Sequence, residues 1–131
     1  MCIFCSIIEG NIPSKKVYED ENVLAILDIS QTTKGHTLVM PKKHYDNFLE
    51  MPADEFASLM AKTREIAAQV VENLDAKGCN ILINTNEVAG QSVMHTHVHI
   101  IPRYDENDTV SFSFRENQFD LDQILNQIKG L

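Results

Sequence analysis

The chain has no tryptophan, only five glycines and four prolines, and three cysteines in 131 residues. So little glycine and proline excludes a collagen-like repeat or a proline-rich linker. Three thiols are an odd number and too few for a disulfide-stapled scaffold. The longest apolar runs, such as Val23–Leu27, are far too short to span a bilayer. The opening stretch, MCIFCSIIEG, lacks the basic flank and long apolar segment of a secretory signal. A cytoplasmic location is the expectation that follows. Basic residues are scarce too: 11 Lys and Arg against 19 Asp and Glu give a formal net charge of −8. That balance argues against nucleic acid or an anionic membrane as partner. A phosphate ligand stays open, because a few backbone N–H groups and a cation can hold one inside an acidic protein.

What is present is enough apolar residue, 44 % of the chain, to fill the core of one domain over residues 1–131. Residues 2–8 read as one or two helical turns ended by Gly10 and Ile12-Pro13. Strands are expected at 16–19 and 23–28, joined tightly through Asp20-Glu21-Asn22, then a polar loop at 29–35 and a strand at 36–41. Between Pro52 and Leu74 the apolar period becomes helical, with Phe56, Leu59, Met60, Ile66, Val70 and Leu74 on one stripe. Strands at 79–84 and 95–101 flank a turn-rich segment, and Leu121, Ile124, Leu125 and Ile128 mark a short amphipathic helix. A strand meander with segregated helices is an α+β pattern without the β-α alternation of a doubly wound fold.

Three of the five histidines stand at positions 95, 97 and 99. On a strand, alternate residues share a face, which would align these imidazoles and turn Thr96, Val98 and Ile100 toward a core. Two plainer readings compete: polar residues alternating with buried ones, or three ligands of a single ion. The latter lacks an acidic fourth ligand or open catalytic position within the segment. Cys2 and Cys5 form a C-x-x-C, a spacing that suits metal or redox chemistry, whereas Cys79 precedes an apolar strand and reads as packing.

The stretch AGQSVMHTHVHIIPR at 89–103 resembles the signature of the histidine triad family. The upstream LDISQTTKGHTLVMPKKH at 27–44 looks like that family's other hallmark segment. The resemblance runs from CIFC at 2–5 to Pro102-Arg103 and points to the small nucleoside-phosphoramidase-like branch. It implies an antiparallel sheet of about five strands, a long helix, a short C-terminal helix and a homodimer. It also implies hydrolysis or transfer at the α-phosphate of AMP or GMP derivatives through a nucleotidyl-histidine. His97 would be the nucleophile, with Nδ1 donating to the His95 carbonyl so that Nε2 is free to attack. His99 would contact the phosphate or leaving group, as a candidate general acid, with His36 supporting it. Gly90, Gln91 and Ser92 would hold phosphate oxygens as in an oxyanion hole, Asn84 would contact the nucleotide, and Asp28 the ribose. Ile7 and Ile26 are candidate base contacts. Cys2, Cys5, His44 and His95 match a closed structural zinc site; no organic cofactor is expected. One departure is Asn86, where many relatives carry glycine; asparagine tolerates a left-handed turn there. Two other functions fit the same residues: hydrolysis of dinucleoside polyphosphates, and a nucleotide- and zinc-binding regulatory module with vestigial activity.

Overall fold

The computed structural model describes residues 2–131. Five strands make one antiparallel sheet in the order β1-β2-β3-β5-β4. They are β1 (Lys16–Glu19), β2 (Val23–Leu27), β3 (Thr37–Pro41), β4 (Gly78–Ile83) and β5 (Val98–Arg103). Helix α1 (Ile3–Ile8) precedes the sheet, α2 (Ala53–Asn73) links β3 to β4, and α3 (Leu121–Lys129) ends the chain. The α+β architecture is the expected one, and no helix among the described residues is long and apolar enough to cross a membrane.

The pleat explains how one sheet serves two cores. Val23 and Ala25 of β2, Val39 of β3, and Val98 and Ile100 of β5 point to one face, where Leu59, Ile66, Ala67 and Val70 of α2 cover them. Their neighbours Leu24, Ile26, Leu38 and Met40 point the other way and meet Phe4 and Ile7 of α1. Strands covered on both faces lose the alternating pattern, which is why β2 and β3 read as continuous apolar runs. Each fully buried aliphatic side chain contributes roughly 1.5–3 kcal/mol. In register, Ile26 lies opposite Leu38, and Leu38 opposite His99, so the three form a row across the α1 face.

The tight β1–β2 connection is closed by Asp20, whose carboxylate accepts from the backbone N–H of Asn22 and Val23 at 2.7 and 2.8 Å. Two short 3₁₀ turns, Phe48–Glu50 and Glu87–Ala89, were not evident from the sequence pattern. The expected strand over 95–101 is displaced: regular pairing begins only at Val98 and continues to Arg103. The partner that runs out is β4, which ends at Ile83 opposite Val98; before that point Thr96 instead donates its backbone N–H to the Tyr45 carbonyl at 2.7 Å. Asp28 and His36 likewise sit just outside β2 and β3. Helix α3 forms as expected but buries none of its residues within the protomer.

Gly35 closes the loop before β3 with φ of +93°, and a Cβ there would come within 2.3 Å of Leu74 Cδ1 and 3.3 Å of Pro102 Cγ. Both the left-handed backbone and the crowding oppose a side chain. Gly35→Ala should therefore cost about 1–3 kcal/mol, seen as a lower Tm and urea midpoint; an unchanged midpoint would contradict this packing.

Candidate active site

The row of Ile26, Leu38 and His99 floors a cleft of about 320 Å³ whose walls include Phe4, Ile7, Asp28, Ser92 and His97. Helix α1 supplies one wall, the end of β2 another, and the segment before β5 the third. Both proposed base contacts, Ile7 and Ile26, face this cleft.

Hydrogen bonds assign a tautomer to each histidine. His97 Nδ1 lies 2.7 Å from the His95 carbonyl oxygen, which can only accept, so Nδ1 carries the proton and Nε2 keeps its lone pair. Burial lowers the pKa of His97 and keeps it neutral at pH 7. The Phe4 ring stands edge-on to it, centroids 4.9 Å apart, and restrains its tilt. His36 Nδ1 accepts the Thr32 backbone N–H at 3.3 Å, so the His36 proton resides on Nε2 and is donated to His99 Nδ1 at 2.9 Å. His99 must then carry its own proton on Nε2. Asp28 Oδ2 is 3.7 Å from His36 Nε2, and its Oδ1 accepts the Ser30 N–H at 2.8 Å. Burial first, then His97 and His36, push His99 down to about 4. The site therefore presents one bare nitrogen, on His97, and one N–H donor, on His99.

The three histidines do not share one ion. His95, fully buried, donates from Nε2 to the Pro41 carbonyl at 2.8 Å and turns Nδ1 away from the cleft. There Nδ1 lies 3.4 Å from Cys2 Sγ, 3.5 Å from Cys5 Sγ and 3.1 Å from His44 Nδ1, and Cys5 Sγ lies 3.3 Å from His44 Nδ1. Tetrahedral zinc bonded to nitrogen and sulfur would set these edges at roughly 3.3–3.5 Å. His44 gives its Nε2–H to Asp46 at 2.8 Å, so two imidazole lone pairs converge at Nδ1. Such an arrangement is repulsive without a cation and is the usual outer-sphere pattern of metal-bound histidine. The four residues fit the metal. Burial and the adjacent Cys2 push the Cys5 thiol up to about 11, a setting in which a thiolate needs a neighbouring cation.

In the loop before the triad, Gln91 is already committed to other partners. Gln91 is buried, its Oε1 accepting the Asn86 N–H at 2.7 Å and its Nε2 donating to the carbonyls of Asp46 and Val93 at 2.5 and 3.0 Å. That side-chain amide is committed to shaping the loop and is not free for a phosphate oxygen. Gly90, at φ +105°, receives the Asn84 side-chain N–H at 3.4 Å on its carbonyl. Neither these two nor Gln91 is among the residues lining the cleft, whereas Asp28, Ser92, His97 and His99 are. Asn86 has the expected positive φ, 70°, but ψ of 161°, a glycine-type region and not the left-handed helical one. The Gln91 bond holds it there. The sequence reading missed Phe4, although its position inside C-I-F-C already tied it to the cysteine pair.

Acid should unfold this protein through the same histidines. His99 has a folded pKa far below its unfolded value of about 6.5. The unfolded chain binds the extra proton between the two values, so stability is full above pH 6.5 and is lost as pH falls toward 4. His99 alone accounts for a loss on the order of 3 kcal/mol. Denaturant titrations between pH 7.5 and 4.5 should show it, and a His99→Gln variant should lose less over that range than the parent; equal losses would contradict the assignment.

With this geometry in place, comparison with known proteins is informative. The HIT domain model matches residues 9–106. A HIT-like protein of Methanocaldococcus jannaschii is 52 % identical over 131 residues, covering 99 % of this chain and 100 % of its own. An Arabidopsis thaliana protein named adenylylsulfatase HINT3 is 39 % identical over 97 % of this chain and 65 % of its own. The crystal structure of a HIT family protein from Bacillus subtilis superposes with a TM-score of 0.91 at 44 % identity, over 98 % of this chain and 93 % of that one. A histidine triad nucleotide-binding protein from Candida albicans gives 0.85 at 29 % identity, over 99 % and 94 %. A zinc-bound histidine triad protein from Mycobacterium smegmatis gives 0.78 at 38 % identity, over 98 % and 96 %. Proteins of this kind are nucleotide-binding hydrolases and transferases, and the chain belongs to the histidine triad, or HIT, domain family.

Proposed function

We propose that this protein hydrolyses nucleoside phosphoramidates, derivatives of AMP or GMP, at the α-phosphorus through a nucleotidyl-histidine on His97. The observation that carries the reading is the 2.7 Å bond from His97 Nδ1 to the His95 carbonyl. A binding module has no use for an imidazole locked in the tautomer that bares Nε2 toward a cleft; a nucleophile requires it. The purine lies against Ile7, Ile26 and Leu38, and the ribose hydroxyls donate to Asp28. Ser92 and the Nε2–H of His99 hold the phosphate oxygens, with Asn84 and Gly90 shaping the loop beside them. Nε2 of His97 attacks phosphorus as the P–N bond breaks. The amine departs after taking up one proton. An anionic phosphate beside His99 opposes the effect of burial and raises its pKa, so His99 can deliver that proton. In the second step water attacks phosphorus, returns its proton to His99 and releases His97 and the nucleoside monophosphate.

The Cys2, Cys5, His44 and His95 cluster holds zinc as a closed structural site, anchoring α1 and with it one wall of the cleft. No chemistry is assigned to it beyond that anchorage. Edge strand β4 carries no charge or proline within Gly78–Ile83 and leaves its outer backbone unpaired. Pairing with β4 of a second copy makes the homodimer. The cytoplasm is the reducing setting in which the paired thiols stay available to the metal.

An acid-quenched reaction with phosphate-labelled adenosine phosphoramidate should trap label on the parent protein and none on His97→Ala. That variant should keep nucleotide affinity within about tenfold while turnover falls by at least about 10³-fold. Turnover surviving within a factor of about ten would remove His97 as nucleophile.

Protein purified without chelator should contain close to one zinc per chain, and Cys5→Ser should lose it. Because metal affinity at such a site is also folding energy, a strong chelator should lower the Tm of the parent and leave that of Cys5→Ser unmoved. Metal analysis finding none would leave the donor cluster without a role.

A further inference from the structure

The catalytic cleft does not end at Ser92. Beyond a lip formed by Ile3, Ser92 and Val93, which belong to both hollows, a second groove of about 440 Å³ opens toward Met94 and Asp46. The reading above leaves this groove without an occupant. The nucleoside fills the apolar end of the cleft, toward Ile26 and Leu38. A second hollow joins the cleft past Asp28 and Ile29, on the side of the proposed ribose; a group on the far side of the α-phosphorus leaves the other way, over Ser92.

The groove has a definite chemistry. No lysine or arginine lines it. Two of its lining residues, Cys2 and His44, are metal donors, and two thiolates with a dication sum to zero charge. Asp46 therefore sets the sign: its carboxylate accepts the His44 Nε2–H yet its side chain remains 57 % exposed. The sides are apolar, with Ile3 50 % and Met94 39 % exposed. An aliphatic stem ending in an ammonium matches this surface, its carbons along Ile3 and Met94 and its charge toward Asp46. Among the described residues a polyanionic leaving group would meet one carboxylate and no lysine or arginine.

We propose that this groove is the leaving-group subsite and that it selects amines bearing a second, cationic nitrogen. The inference rests on the phosphoramidate reading for its reaction but not for its binding, and the test separates the two. Three adenosine phosphoramidates of equal length serve as probes, with N-substituents 4-aminobutyl, pentyl and 3-carboxypropyl. On the parent protein kcat/KM should fall in that order, about threefold per step, the scale of an exposed charge pair. The spread should shrink in 1 M salt, where screening cuts in within a few ångströms, an effect that altered packing would not produce.

Met94→Lys, which lies outside both the nucleophile's contacts and the metal donors, should reverse the order. Asp46→Asn should flatten it, with zinc content measured in the same preparation. Calorimetry on His97→Ala with the same three compounds should reproduce the parent order as affinities. Turnover or binding without any order, unchanged in Met94→Lys, overturns the subsite. Ordered binding with no turnover by the parent supports the subsite and condemns only the proposed reaction.

Discussion

The arrangement turns on His95, a fully buried residue that serves two sites with different atoms. Its carbonyl accepts the Nδ1–H of His97 at 2.7 Å, and its ring donates to the Pro41 carbonyl at 2.8 Å while offering Nδ1 to the cysteine cluster. Pro41 contributes an acceptor at the very end of β3. The end of β3 thus fixes the His95 ring, and the His95 backbone fixes the tautomer of His97. Removing this residue's neighbours would reach the Cys2, Cys5 and His44 cluster and the His97 ring together. Such sharing is costly to build, because neither group of contacts can shift without the other, but it leaves His97 with one orientation.

The second constraint is the pleat of β5. Val98 and Ile100 are wholly buried against α2, so His97 and His99 are forced to the opposite face. A one-residue slip would put both imidazoles into the α2 core and is opposed by Val98 and Ile100, which would leave it. On the exposed side of that choice, burial under α1 lowers the pKa of both histidines. The same desolvation that makes them neutral and reactive makes them an acid liability. Stability and reactivity come from one source here.

The loop between β4 and the triad shows a different economy. Asn86 occupies a backbone region that suits glycine, and Gln91 holds it there with a buried amide that also ties down Asp46. Asp46 in turn carries the hydrogen bond from His44. Loop shape, metal donors and the groove past Ser92 are therefore linked through a short chain of polar contacts. The Gln91 amide is tolerated at this depth because both of its ends have partners.

Periodicity alone carried the long helix, the strand count and the division of Thr96, Val98 and Ile100 from the histidines, since burial enforces period 2 and period 3.6 directly on composition. The C-x-x-C spacing likewise pointed to metal or redox chemistry at the N-terminus. Other features were not local. Gln91 looks like a phosphate ligand in GQS, and only the carbonyls of Asp46 and Val93, brought beside it by the fold, turn it into a loop brace. The strand seemed to begin at His95, yet pairing depends on a partner, and β4 ends at Ile83, opposite Val98. Phe4 became a wall of the site only when α1 docked on the sheet. The tautomers of His36, His97 and His99 were settled by Thr32, His95 and one another across as many as 63 residues of chain. Residue types and their spacing determined which chemistry was available; three-dimensional contact decided which nitrogen performs it, because a proton's position is set by the acceptor that folding places opposite.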